Sequence, residues 1–296
     1  FVSSLKLITG ALAAEYGDRT AGIIDLQTKT GQFADGGDVG IYGGSHSTLT
    51  PSIDHGGSDG GFNYFVSGDY TADALGIESP DGSSNPLHDR TKQYHGFGFA
   101  QQILDSDSSI SAILGVSNDM FQIPDSTGLE PSGIASVNGL GPNGVLEDGN
   151  RTIFPSADLD ELQREVTQYG IVSYLRSQGA FDVQVSAFGR FSSLYFTPSP
   201  VGDLLYTGIA QTAYKRDEAY GIQADSSWRI SQAHTLRAGF FFQADDLDSR
   251  TSSDVLPVDA GGNQTSTAPL TIPDNGTKHA SSYSLYVQDE WQIFSE

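Results

Sequence analysis

In one stretch of the chain after another, apolar and polar side chains alternate with period two. Phe181, Val183, Val185, Ala187 and Phe191 share one parity, and Asp182, Gln184, Ser186 and Arg190 the other. Leu236, Ala238, Phe240 and Phe242 alternate with Arg237, Phe241, Gln243 and Asp245. Tyr220, Ile222, Ala224, Trp228 and Ile230 alternate with Gln223, Asp225 and Arg229, and Ile110, Ala112, Leu114 and Val116 with Ser109, Ser111 and Ser117. Such alternation places successive side chains on opposite faces of a β-strand. The runs reach or exceed the roughly 9–11 residues of a membrane-spanning strand, whereas strands of soluble sandwiches average about 5–6. A soluble sandwich with one solvated face gives the same alternation, and length argues against it. An Arg facing lipid near the midplane costs about 2–4 kcal/mol. Phe181, Val183, Val185, Leu236, Ala238, Phe240 and Phe242 are therefore expected to face outward, and Asp182, Gln184, Arg237 and Gln243 a wet interior.

The spacing predicts strands over 39–44, 48–55, 62–71, 91–104, 109–120, 164–177, 181–196, 214–230, 235–248 and 280–294. Their connections alternate between short polar turns, such as Asp105-Ser106-Asp107-Ser108, and long loops rich in Gly, Ser and Asp, such as 121–163. One short-turn rim and one long-loop rim mark an antiparallel transmembrane β-barrel. The first hairpin, around Ser45 to Ser47, has a tight turn on the long-loop side, and Pro51 removes a ladder donor from the second strand. About ten strands do not close around the lumen of a large transporter, which has about 22, so further strands are expected beyond Glu296.

Composition narrows the classes. The 296 residues hold no Cys, one Met, 35 Gly, 13 Tyr and 16 Phe, and the mean hydropathy is −0.27. That is too polar for a helical membrane protein and too aromatic for a disordered one. No apolar run approaches the roughly 20 residues of a spanning helix. A net charge of −22 disfavours nucleic acid as a partner, because phosphates are neutralised by clustered Lys and Arg. Without cysteine there is no disulfide framework and no thiolate metal site. The chain starts at Phe1 with no secretory signal ahead of it, and it reads as a fragment.

The ends of the chain are more specific. The opening Ile8-Thr9-Gly10-Ala11-Leu12-Ala13-Ala14-Glu15-Tyr16-Gly17-Asp18-Arg19-Thr20-Ala21-Gly22-Ile23-Ile24-Asp25-Leu26-Gln27-Thr28-Lys29-Thr30-Gly31 resembles the last part of the plug domain of TonB-dependent outer-membrane receptors. In that family an acidic-Tyr-Gly turn, a small-Gly step and an apolar strand ending in Thr-Lys-x-Gly hand over to the barrel. The closing Tyr283-Ser284-Leu285-Tyr286-Val287-Gln288-Asp289-Glu290-Trp291 resembles a mid-barrel strand of the same family. Gly61 to Gly68, Leu75-Gly76-Ile77-Glu78, Leu87-His88-Asp89 and Phe121-Gln122-Ile123-Pro124 fit between them in the family's order.

The resemblance implies a plug tail over 1–31 and the first part of a receptor barrel over 38–296. It implies a place in the bacterial outer membrane among lipid and lipopolysaccharide, an extracellular small-molecule ligand, and coupling to the TonB complex through a plug N-terminus upstream of Phe1. The ligand class stays open between siderophore, cobalamin and oligosaccharide. No enzymatic step, cofactor or metal is implied. A passive porin-like channel accounts for the strands equally well but leaves 8–31 without a role. A secreted soluble β-protein is the remaining alternative.

Candidate site residues follow from chemistry. Rigid aromatics bury area at small entropic cost, so Phe121, Tyr195, Phe196 and Tyr206 are the ligand-contact candidates, with membrane girdle or loop packing as the other reading. Residues 1–31 carry both charge signs and an unalternated Ile23-Ile24, which suits a wet interior; Glu15 and Arg19 are the expected contacts to the barrel, or else turn residues satisfied within the plug. Gly56-Gly57-Ser58-Asp59-Gly60 matches G-x-S-x-G but precedes a strand, not a helix, and reads as a rim turn. The six histidines have no metal-ligand spacing, although His88 with Asp89 sits in an outer loop. The acidic stretches around 245–248 and 254–263 read as solvated loops without the Gly and terminal Glu of an EF-hand, open to diffuse divalent-cation bridging to the lipopolysaccharide. Asn150, Asn263 and Asn275 open chance glycosylation triplets. Residues 158–165 suit one amphipathic helical turn.

Overall fold

A computed structural model describes residues 1–9, 13–17, 22–31, 35–77, 79–80, 82–83, 86–129, 131, 137 and 154–293. Two strands, β1 (Val2–Ile8) and β2 (Ile23–Thr28), pair with each other antiparallel. Ten more form one sheet: β3 (Gly36–Gly43), β4 (Leu49–Asp59), β5 (Phe62–Asp73), β6 (Thr91–Ile103), β7 (Ser108–Ile123), β8 (Glu161–Gln178), β9 (Phe181–Thr197), β10 (Ile209–Arg229), β11 (His234–Val255) and β12 (Leu270–Trp291). They run as an antiparallel meander in chain order, each bonded to its sequence neighbour. All ten strands expected from the alternation are present. A short helix, α1 (Pro200–Tyr206), stands between β9 and β10.

Register sorts the side chains into two faces. Arg237 pairs with Gln288 and Ser227, and Ser227 with Asp182, so these four share a face. Phe240 pairs with Ala224 and Leu285, and Ala224 with Val185, on the opposite face. Across β8 to β12 the outward face from Trp228 up to Tyr220 is largely apolar, including Ile222, Phe242 and Tyr283, with Arg176, Gln178 and Asp289 at its lower edge. Eight residues of strand rise about 27 Å, which at a tilt of about 40° spans most of the roughly 25 Å lipid-facing band of a barrel.

The strands run further than the alternation predicts. β10 begins at Ile209, β11 continues to Val255 and β12 starts at Leu270, so most of 249–279 is paired strand and not loop. Above Tyr220 the outward positions become Glu218, Arg216, Asp246 and Asp248. The apolar signal therefore ends at the membrane level. The backbone ladder continues into water, since each buried N–H and C=O still needs a partner.

Pro51 is accommodated at a gap. β3 pairs Ile41 with Pro51, but the β4–β5 ladder passes from Leu49–Ala72 to Ser52–Asp69, leaving out the proline. The tight first hairpin is a type I′ turn on non-glycine residues, with φ of 60° at His46 and 59° at Ser47, closed by Thr48 N–H donating to Ser45 O at 3.2 Å. Residues 158–165 do not form a helical turn. A single 3₁₀ turn covers Ser156–Asp158, and Glu161 already pairs with Ile123 as the first residue of β8. Ladder pairing, available to 161 onward but not to an isolated helical turn, decides between them.

Candidate functional site

The N-terminal segment rests on one face of the ten-stranded sheet. At one end Phe1 stacks on Phe97 of β6 with ring centroids 4.7 Å apart, over a cluster of Phe65, Phe97 and Phe99 with Ile113 against it. Lys29 Nζ lies 5.3 Å above the Phe65 ring and 3.6 Å from Asp54 of β4. At the other end Ala14 N–H donates to Gln288 Oε1 of β12 at 3.0 Å, and Glu15 Oε2 lies 4.0 Å from Arg237 Nη1 of β11. A short segment that touches opposite ends of a long sheet on a single face requires that face to be concave. The face is the one carrying Arg237, Asp182 and Gln184, the polar parity expected to look inward.

Gly31 is where the segment leaves this seat. Its φ is +76°, and a Cβ there would stand 1.9 Å from the Tyr64 carbonyl oxygen. Only glycine both adopts that angle cheaply and permits the approach. The glycine of the Thr-Lys-x-Gly motif thus has a physical reason.

Higher on the inner face, β8 to β12 form a hollow of about 530 Å³ whose lining includes Glu165, Leu194, Lys215, Asp217, Leu247 and Lys278. Lys215 bonds to Ser249, and Arg190, on the same face, pairs with Asp217. In a chain with 15 cations against 37 carboxylates, the two lysines and Arg190 bring this wall to balance with Glu165, Asp217 and Asp274. Alternation marked these positions as inward, but nothing in the spacing showed that three strands bring their cations together.

Above the hollow, four outer connections pack into one unit. α1 buries Leu204 and Leu205 with Val137 and Ala210, and Phe154, Val201 and Leu256 close around them. The Tyr206 hydroxyl donates to the carbonyls of Leu129 and Phe154, both at 3.0 Å. His88 contributes Nδ1 at 3.3 Å from Asp160 and Nε2 at 2.9 Å from Ala157 O. Within the unit, burial pushes the Glu161 carboxyl up to about 7, helped by a hydrogen bond and repulsion from Asp203. Burial likewise raises Asp203 and takes Asp125 up to about 6, where Glu161 adds repulsion. Both shifts favour the protonated carboxyl, which lets Glu161 and Asp203 hydrogen-bond to each other, with Asp203 only 6% exposed.

The ligand-contact candidates separate. Phe121 and Phe196 both pair with Gln163, so they lie on the inner face two strands apart, near its upper edge. Tyr195 is on the outer face, 6.4 Å from Tyr214, in the position of a membrane-interface ring. Tyr206 is spent in the loop core. Glu15 meets Arg237 as described, whereas Arg19 lies outside the described residues, as does the Asn150 triplet. Ser58 sits in β4 just before the turn and donates to Asn63 Oδ1 at 2.6 Å, a rim-turn contact. Asp89 is fully buried and accepts the Ile77 N–H at 2.8 Å, so it organises its loop and does not face a ligand with His88. Asp245 and Asp246 stand on opposite faces of β11, not in an acidic loop. Among the described residues no group of three or more His, Asp or Glu is placed to hold a metal ion.

No known family model matches the chain, and no curated protein matches it either. Solved structures do. The siderophore receptor PiuA from Acinetobacter baumannii aligns over 97% of this chain and 44% of its own, with a TM-score of 0.61 and 14% identity. The fold here is that of a TonB-dependent receptor barrel. The FrpB iron transporter from Neisseria meningitidis aligns over 99% of the chain and 51% of its own, at a TM-score of 0.56 and 12% identity. The RagAB peptide transporter follows, over 82% and 30%, at 0.50 and 12%. The chain thus spans about half the length, or less, of the structures it matches. At these identities the likeness concerns the fold, and the matched proteins are receptors and transporters, not enzymes.

Proposed function

We propose that this chain is the plug tail, 1–31, and first barrel part, 38–296, of an outer-membrane receptor. It takes up a scarce nutrient of siderophore, cobalamin or oligosaccharide type, coupled to TonB. The observation that carries this reading is the N-terminal segment seated on the concave face at both ends of the sheet. A passive porin needs no such segment, and an obstruction there would block its pore. The contacts suit a plug that must move. Glu15 and Arg237 are 27% and 37% exposed, and an ion pair that wet contributes about 0–1 kcal/mol, enough to seat the segment without locking it.

Ligand would be caught at the outer end, where Phe121 and Phe196 flank the top of the inner wall and Lys215 and Lys278 line the hollow below. TonB would act from the other side, through the part of the plug upstream of Phe1. The test is uptake by cells carrying the full-length protein, under limitation for each nutrient type in turn, with and without TonB. Accumulation that needs both the protein and TonB supports the reading. Passive, TonB-independent permeation of small solutes would replace it with the porin-like channel.

A further inference from the structure

Register sets four aromatic rings on a diagonal down the inner wall. Tyr169 of β8 pairs with Gly115, Phe188 of β9 with Gly221, Phe241 of β11 with Gln223 and Tyr286 of β12 with Gly239. Traced onto β10, their rows fall at Ala219, Gly221, Gln223 and Asp225, so each ring stands one inward row nearer the short-turn rim than the last. The line starts directly below the row of Asp217, at the foot of the hollow. Glycine lays three of these rings down. A Cβ at Gly115 would stand 2.3 Å from the Tyr169 ring, one at Gly221 2.6 Å from Phe188 Cζ, and one at Gly239 2.2 Å from Tyr286 Cε1. The rings fold across the bare backbone, one face to the wall and the other to the lumen. Over Gly221 the Phe188 and Phe241 rings meet, with centroids 5.8 Å apart and planes 17° from parallel.

The two middle rows carry no charge between β7 and β12. One runs from Ile113 through Ile171, Phe188 and Gln243 to Ser282, and the other is Ser111, Ser173, Ser186, Gln223, Phe241 and Ser284. Charges bound them on both sides, Arg190 and Asp245 in the row above and Asp225 in the row below. From Ala219 to Asp225 is about 20 Å of strand. A charged ligand would travel most of that length without a counter-charge, whereas a ligand rich in hydroxyls meets hydroxyls and amides throughout.

The diagonal ends in a cavity of about 450 Å³ between the wall and the N-terminal segment, within the roughly 300–1,000 Å³ of small-molecule sites. Glu15 and Tyr16 of the 3₁₀ turn Ala14–Tyr16 line one side, and Gln223, Asp225, Phe241 and Tyr286 the other. Asp225 is fixed by two donors, the Tyr286 hydroxyl at 2.9 Å to Oδ1 and Gln223 Nε2 at 2.7 Å to Oδ2. A carboxylate oxygen accepts more than one hydrogen bond, so Asp225 keeps capacity toward the cavity. An aromatic face beside a fixed carboxylate suits a sugar ring. The negative π face attracts its C–H bonds, and its hydroxyls donate charge-assisted bonds to the carboxylate.

We propose that this cavity is an exit-side binding site for a neutral sugar ring, fed from the hollow along Tyr169, Phe188, Phe241 and Tyr286. The proposal rests on the transport reading above and narrows its ligand class to the oligosaccharide type. It adds a site far from the outer end, where that reading places capture. The occupant touches the turn that carries Glu15, so displacement of the N-terminal segment opens the cavity toward the short-turn rim.

The test is equilibrium dialysis of the full-length protein in detergent against neutral hexasaccharides of glucose, mannose, galactose and xylose, a cationic glucosamine hexamer and an anionic galacturonate hexamer. At least one neutral sugar should bind, and the charged hexamers roughly tenfold more weakly or worse, for want of counter-charges along the wall. Phe188→Leu with Phe241→Leu keeps apolar bulk and removes two ring faces. At about fivefold per ring the pair should lose roughly 25-fold, whereas Phe241→Tyr should stay within about twofold of the wild type. Bound sugar should also slow hydrogen exchange at Ala14 to Tyr16, which binding at the outer end alone would not do. No neutral sugar bound, tighter binding of either charged hexamer, undiminished binding by the double variant, or unchanged exchange at the turn each overturns the proposal. Should the double variant fail to fold, Phe241→Leu alone carries the test at about fivefold. TonB-dependent uptake is measured on the same protein. Uptake of a siderophore or cobalamin with no sugar bound removes the sugar site and leaves the transport reading standing; sugar bound at the turn without TonB-dependent uptake of any nutrient removes the transport reading alone.

Discussion

Replacing Glu161 by Gln should weaken the pH response of the outer-loop unit. Glu161 opens β8 on the long-loop side, above the membrane, and faces Asp203 of α1, with Asp125 and the His88–Asp160 pair close by. Its carboxyl is raised from 4.5 to about 7 when folded, so the folded unit holds the proton more tightly than the unfolded chain does. The stabilisation is therefore complete below about pH 4.5, declines as pH rises and is gone above about 7. Asp203, also raised, acts in the same direction. The shift sets a ceiling on the order of 3 kcal/mol; because Glu161 is partly exposed, solvent screening reduces it to about 1–2 kcal/mol. Gln keeps a donor toward Asp203 but cannot ionise. Hydrogen exchange of residues 154–161 and 200–208, corrected for intrinsic rates, should show protection falling about tenfold between pH 5 and 8 in the wild type and clearly less steeply in Glu161→Gln, where Asp203 and Asp125 still titrate. Equal slopes in the two proteins, or protection that rises with pH in the wild type, would refute a role for the Glu161 proton.

Gly31→Ala should unseat the N-terminal segment, because the left-handed backbone costs about 1–2 kcal/mol and the new Cβ meets Tyr64 O; faster proteolysis between Thr28 and Gly36 is the readout, and an unchanged rate would contradict it. Arg237→Gln should loosen the Glu15 contact while leaving barrel stability within about 1 kcal/mol, seen as faster exchange around Ala14 with an unchanged unfolding midpoint. Phe240→Arg should destabilise the lipid-inserted protein by about 2–4 kcal/mol, whereas Gln243→Arg, on the wet face, should cost far less; similar losses at the two positions would mean the faces are misassigned.

Much of the barrel wall was legible in the sequence because a sheet with one face in lipid and the other in water must write that difference at every second residue. Phe181 to Val185 and Leu236 to Phe242 face as their parity predicts, since a one-residue slip would bury Asp182 and Arg237 in hydrocarbon. The same signal fell silent above Tyr220, where both faces are wet. The upper parts of β10, β11 and β12 are held by backbone pairing, which leaves no hydropathy mark, and 249–279 therefore read as loop. Charges of both signs and an unalternated Ile23-Ile24 pointed residues 1–31 toward the interior. Which wall residues they meet could not be read, because Arg237 lies 222 positions from Glu15 in the chain and only the curl of the sheet brings them to 4.0 Å. The convergence of Lys215 with Lys278, the pairing of Glu161 with Asp203, and the diagonal of Tyr169, Phe188, Phe241 and Tyr286 were all decided by register between strands. Parity tells each residue which face it takes; only the tertiary structure tells it which neighbours it has.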